Sequence, residues 1–187
     1  GGFGITYKCE DIRLKFILAV KEYFPDGMVT RTPGSLVVTP TPSSFDMFEW
    51  GRKKFLLEGT TLAAIQHKYS SEFIVKIIRF VEERQTAYLA MEFIDGMQID
   101  DFALSNNITS AGQVEALFKS LCIKALKPIH DSNFYHRDIK PSNILVRSSN
   151  NEPVIIDFGA ARQTAGGKST VALLTPRYSA VEQYASQ

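Results

Sequence analysis

An α+β fold is predicted, with an antiparallel sheet region first and a mainly helical region after it. Three observations carry that prediction. Apolar runs of strand length, bounded by polar turns, recur through the first 94 residues. A helical stripe then takes over, with Val114, Leu117, Phe118, Leu121, Cys122, Ala125, Leu126 and Ile129 at i, i+3, i+4, i+7 spacing. The 187 residues, 44% hydrophobic and 22% charged, suffice for one domain or one domain in two lobes.

In chain order, Ile5-Thr6-Tyr7 and Lys15-Phe16-Ile17-Leu18-Ala19-Val20-Lys21 read as two strands around the polar turn at Glu10-Asp11. Pro25, Asp26-Gly27, Pro33-Gly34 and Thr39-Pro40-Thr41-Pro42 punctuate a long connection over 25–47. It has room for a small hairpin around Val37-Val38 in a segment expected to be mobile. A helix over about 45–65 follows, with Phe48, Phe55, Leu62 and Ile65 on its apolar face. Strands are predicted at 73–81 and 86–94, around the turn Glu82-Glu83-Arg84-Gln85. Ser110 and Gln113 form a candidate capping box ahead of the helical stripe, and Pro128 should loosen its last turn. Short strands at 144–146 and 154–156 precede a Gly/Ser/Thr-rich loop over 159–176.

Composition excludes several classes. A net charge of +1 removes the usual reason to propose nucleic acid as a partner. Cys9 and Cys122 make no disulfide framework, so a reducing cytoplasm is expected. No run approaches the ~18 apolar residues of a membrane helix, so no membrane segment is expected in this chain, while an anchor outside it stays compatible. The opening Gly1-Gly2-Phe3-Gly4 lacks a basic and apolar leader pattern, so no signal peptide is expected within this chain.

The chemistry is concentrated in His136-Arg137-Asp138-Ile139-Lys140-Pro141-Ser142-Asn143 and in Val154-Ile155-Ile156-Asp157-Phe158-Gly159. Phosphoryl transfer needs a carboxylate near the attacking hydroxyl and hard oxygen ligands for Mg²⁺ on the phosphates. Asp138 is a candidate base, Lys140 a cation for the γ-phosphate, and Asn143 and Asp157 are candidate metal ligands. A second phosphate motif fails: G-x-x-x-x-G-K-[ST] ending at Gly167-Lys168-Ser169 would need glycine where Arg162 stands.

This ordered pair of motifs resembles the protein kinase family, with its H-R-D and D-F-G signatures. The resemblance implies ATP and Mg²⁺ as cofactors and a two-lobed fold, with an antiparallel sheet N-lobe and a mainly helical C-lobe. Gly1, Gly2, Phe3 and Gly4 are similar to the later part of the family's Gly-rich loop, whose bare backbone approaches phosphates. Thr6 stands where an apolar residue over the adenine is usual. Lys21 in Ala19-Val20-Lys21 matches the lysine that holds the α- and β-phosphates. Its helical partner is Glu58 or Glu49; Glu58 fits better because Leu62, one turn on, continues the apolar face. Gly59 stands where the family usually has alanine. Met91-Glu92-Phe93-Ile94 resembles the hinge: Met91 at the back of the adenine pocket, the Glu92 and Ile94 backbones bonding the base, Leu145 and Ala19 sandwiching the ring.

Lys140 after Asp138 resembles the Ser/Thr-specific branch, which implies protein substrates with Ser/Thr acceptors. Arg137 implies pairing with an activation-loop phosphate, and Thr164, Ser169, Thr170 and Thr175 are candidate autophosphorylation sites. Thr175 in Thr175-Pro176-Arg177-Tyr178 is expected to bond Asp138 and Lys140. Leu174 and Val181 depart from the family's Gly and Pro. The Lys21-Glu22-Tyr23-Phe24-Pro25 run and the Glu182-Gln183-Tyr184 ending both resemble bacterial signalling members.

The division expected is an N-lobe over 1–94, with the 25–47 insertion, and a partial C-lobe over 95–187, the domain being truncated at both ends. The function expected is phosphorylation of protein Ser/Thr hydroxyls. The competing readings are a pseudokinase and a small-molecule phosphotransferase.

Overall fold

A computed structural model describes residues 4–69, 71–163, 175 and 177–184. The chain divides into two compact units, one of residues 1–63 and 76–93, the other of 64–75 and 94–187.

The first unit is built on a four-stranded antiparallel sheet in the order β1-β2-β6-β5. Its strands are β1 (Gly4–Glu10), β2 (Ile17–Tyr23), β5 (Ile77–Glu83) and β6 (Thr86–Glu92). The β1–β2 turn is closed by Asp11, whose Oδ1 accepts from the backbone N–H groups of Arg13 and Leu14 at 2.9 and 2.7 Å. Those bonds hold the Asp11 carboxyl below its usual range. The 25–47 connection is tied down: β3 (Val29–Thr30) pairs with β4 (Thr39–Pro40), and Val38 is fully buried. Helix α1 (Phe45–Lys68) follows. Phe48, Phe55 and Leu62 are buried, with Tyr23 against the two phenyl rings at 5.2 and 5.6 Å between centroids.

The second unit joins helices to short strands. A three-stranded antiparallel sheet runs β10-β9-β7, from β7 (Gly96–Gln98), β9 (Ile144–Arg147) and β10 (Pro153–Ile155). Helix α2 (Ile99–Ser105) follows β7. Ser110 caps α3 (Ala111–Ser120): its Oγ accepts from Gln113 N–H at 3.3 Å, and Gln113 Oε1 accepts from Ser110 N–H at 3.2 Å. A π-helical segment over Leu121–Leu126 then leads into α4 (Lys127–Asp131). Pro128 accounts for it: a proline ring clashes with the carbonyl four residues back, and a wider turn accommodates that.

One expectation about this helix is only partly met. Leu121, Ala125 and Ile129 are buried, whereas Val114, Phe118 and Cys122 are exposed. Strand β8 (Phe134–Tyr135) pairs with β11 (Arg162–Gln163), and α5 spans Val181–Tyr184. Among the described residues, no helix is long and apolar enough to cross a membrane.

Candidate active-site residues

The first unit pairs Lys21 with Glu58. Lys21 Nζ donates to Glu58 Oε1 at 2.9 Å and Oε2 at 3.1 Å, with the carboxylate side chain only 2% exposed. Glu49, the competing partner, instead accepts from Arg52 at 2.8 Å. Lys21 reaches α1 because it shares a sheet face with Leu89, its register partner in β6. The helix comes close because residue 59 is glycine: a Cβ there would meet Leu89 Cδ2 at 2.7 Å and Ile77 Cδ1 at 3.2 Å. Thr6 lies opposite Lys21 across β1–β2, and Ala19 opposite Met91 across β2–β6. Gly4 is needed by the strand pairing itself, since a Cβ would sit 2.4 Å from the Glu22 carbonyl oxygen. Gly1, Gly2 and Phe3 lie outside the described residues. Met91 is buried, and the Glu92 backbone N–H donates to Lys76 O at 2.9 Å.

The second unit gathers the loop residues around one carboxylate. Asp138 Oδ2 is 2.8 Å from Lys140 Nζ, and Asp138 Oδ1 accepts from the Thr175 hydroxyl at 2.6 Å. Lys140 Nζ also donates to Thr175 Oγ1, at 3.1 Å. Asn143 Nδ2 donates to both the backbone oxygen and Oδ2 of Asp138, each at 2.9 Å. With its nitrogen so used, the amide oxygen is the atom through which Asn143 could take a cation. Asp157 follows β10, and its Oδ1 accepts from Gly159 N–H at 3.0 Å. Ile94 is buried in this unit, and Leu145 is half-buried on β9. Thr164, Ser169 and Thr170 lie outside the described residues.

Two residues to which the motifs gave no role also shape this loop. His136 is 2% exposed; its Nδ1 accepts from Asp138 N–H at 3.3 Å, and its ring meets Phe158 edge-on at 4.8 Å. Burial pushes its pKa down to about 4, against the opposing pull of the Asp157 and Asp138 charges. The imidazole is therefore neutral at pH 7 and can accept that bond. Gln183 Nε2 donates to the backbone oxygen of Arg137, itself held at φ 68°, at 3.0 Å. The partner of Gln183 is a backbone atom 46 residues away, a pairing that no local sequence signal reveals.

Asn143 and Asp157 are hard oxygen donors, the kind that suits Mg²⁺, which keeps several waters and takes phosphate oxygens as further ligands. A buried lysine–glutamate pair, an Asp-Lys-Asn loop and an Asp-Phe-Gly turn together define a protein kinase domain. Residues 46–187 match the protein kinase domain family, and the chain belongs to it. It is similar to serine/threonine-protein kinase C of Synechocystis, 29% identical over the whole chain and 34% of that protein. Serine/threonine-protein kinase D of the same organism is 30% identical over 89% of this chain and 29% of its own length. The chain thus spans about a third of the length of each of these two relatives. Among solved structures, one titled PpkA-294 apo form superposes with a TM-score of 0.75 at 31% identity, covering 85% of this chain and 55% of that one.

Proposed function

We propose that the protein transfers the γ-phosphoryl group of ATP to Ser/Thr hydroxyls of proteins. The observation that carries this reading is Thr175: a threonine hydroxyl hydrogen-bonded to Asp138 and Lys140, as an acceptor hydroxyl would be.

In the reaction, the acceptor oxygen bonds to the γ-phosphorus as the bond from that phosphorus to the β–γ bridging oxygen breaks, releasing ADP. Asp138 orients the hydroxyl and receives its proton. Lys140 offsets charge on the transferring group, and Lys21, held by Glu58, positions the α- and β-phosphates. Asn143 and Asp157 would hold Mg²⁺, which supplies charge neutralisation on the phosphates. By the family resemblance, Gly1, Gly2, Phe3 and Gly4 would serve phosphate binding, and Thr6, Ala19, Met91, Glu92, Ile94 and Leu145 would serve adenine binding. Autophosphorylation at Thr164, Ser169, Thr170 or Thr175 is part of the proposal, as is a cytoplasmic location, where ATP is at hand and both cysteines stay reduced.

The test is mass spectrometry of the protein and of casein after incubation with ATP, with Mg²⁺ or with EDTA. Phosphate on serine or threonine with Mg²⁺ and none with EDTA is expected. Its absence from both proteins in Mg²⁺ would overturn the reading in favour of a pseudokinase.

A further inference from the structure

The 25–47 connection has no task in the reading above, yet it reaches the sheet at one charged point. Arg31 Nη2 donates to Glu22 Oε1, and the Glu22 side chain is 2% exposed. The same oxygen accepts from the Tyr88 hydroxyl at 2.8 Å, and Oε2 accepts from the Tyr7 hydroxyl at 2.9 Å. Tyr7 is in β1, Glu22 in β2 and Tyr88 in β6, so one carboxylate joins three neighbouring strands to the connection. Glu22 and Tyr88 are direct register partners, and Tyr7 is diagonal to Glu22 through its partner Val20. Burial, reinforced by the Glu22 charge, pushes both tyrosine pKa values up, which keeps the hydroxyls as donors. The Arg31 guanidinium also lies 5.1 Å from the Phe24 ring centroid. Backbone ties flank the cluster: Val38 N–H donates to Arg84 O at 2.9 Å, and the Thr86 hydroxyl donates to Tyr23 O.

We propose that the 25–47 connection is a brace that fixes β2 in the position presenting Lys21, with Arg31 and Glu22 as positioning residues for nucleotide phosphates. This rests on the reading of Lys21 as the phosphate-holding lysine. Lys21 and Glu22 are adjacent and point to opposite sheet faces. Lys21 is tied to α1 through Glu58, Glu22 to the connection through Arg31, so ion pairs hold β2 from both sides. Removing the guanidinium leaves a buried carboxylate with only neutral phenol donors. It then gains by moving toward water, and Lys21 moves with it.

The experiment uses the full-length protein and two readouts: amide hydrogen exchange over 17–23, and titration with a fluorescent mant-ATP and Mg²⁺. Arg31→Ala is expected to speed exchange in β2 and to weaken mant-ATP binding roughly tenfold. Arg31→Lys should restore most of both. Ser110→Ala, which removes a helix cap in the other unit, should leave β2 exchange and nucleotide affinity unchanged. Should Arg31→Ala not fold, Tyr88→Phe keeps the ring, removes one donor and should shift both readouts in the same direction by less. Unchanged β2 exchange in these variants overturns the brace, as does a loss of affinity equally large in Ser110→Ala. If the wild type binds no mant-ATP, the kinase reading and the nucleotide role fail together, and the exchange data still decide whether the connection holds β2.

Discussion

His136 ties the stability of the loop over 136–143 to pH. Its pKa in the folded chain is about 4, below the usual 6.5. Above pH 6.5 both folded and unfolded forms are neutral there, and the contribution to stability is complete. As pH falls, the unfolded chain takes up the proton first, so that contribution is lost through the window down to pH 4. Between pH 7.5 and pH 5 the loss is about 2 kcal/mol. Urea unfolding at the two pH values, compared with His136→Gln, should show this difference in the wild type alone. An equal pH slope in both proteins would contradict the assignment. At Thr175, replacement by valine removes the bonds to Asp138 and Lys140 while keeping the shape. The rate of phosphorylation should fall by at least about tenfold if that hydroxyl helps set the loop, and Thr175→Ser should retain most of it.

Among the elements, α1 shows most clearly what a sequence does and does not reveal. Its apolar face was legible from Phe48, Phe55, Leu62 and Ile65, because burial follows helical spacing. Its closeness to the sheet was not, because glycine marks close approach only once the neighbour is known. Gly59→Ala should gain about 1 kcal/mol of helix propensity yet lose about 1–3 kcal/mol to overpacking against Leu89. Leu89 is fully buried and has nowhere to swing. Net destabilisation by thermal unfolding is expected; a raised Tm would show that the helix can shift without cost. The α3 cap is simpler, because a capping box is a local signal written in two residues. Ser110→Ala should cost about 1 kcal/mol in urea unfolding. The π segment was only half legible: Pro128 announced a disturbance, but the choice of a widened turn over a kink depends on packing. The 25–47 connection defeated sequence reading for the same reason. Arg31 and Glu22 are ordinary charges until folding brings them together.

For the molecule as a whole, motifs of contiguous residues made the family legible, since loop chemistry is written locally in His136–Asn143 and Asp157–Gly159. What stayed hidden comes from distant pairings, such as Gln183 with Arg137 and Arg31 with Glu22. In the proposed reaction Lys21 holds the nucleotide phosphates and Asp138 acts on the acceptor hydroxyl, so loss of Asp138 should spare binding and largely abolish transfer. The measurement that tests it most directly sets mant-ATP affinity beside the rate of γ-phosphate transfer to casein, for wild type and Asp138→Asn. Affinity within about twofold of wild type is expected, with transfer reduced by about 10²–10⁴-fold. Transfer by Asp138→Asn at the wild-type rate would contradict the account.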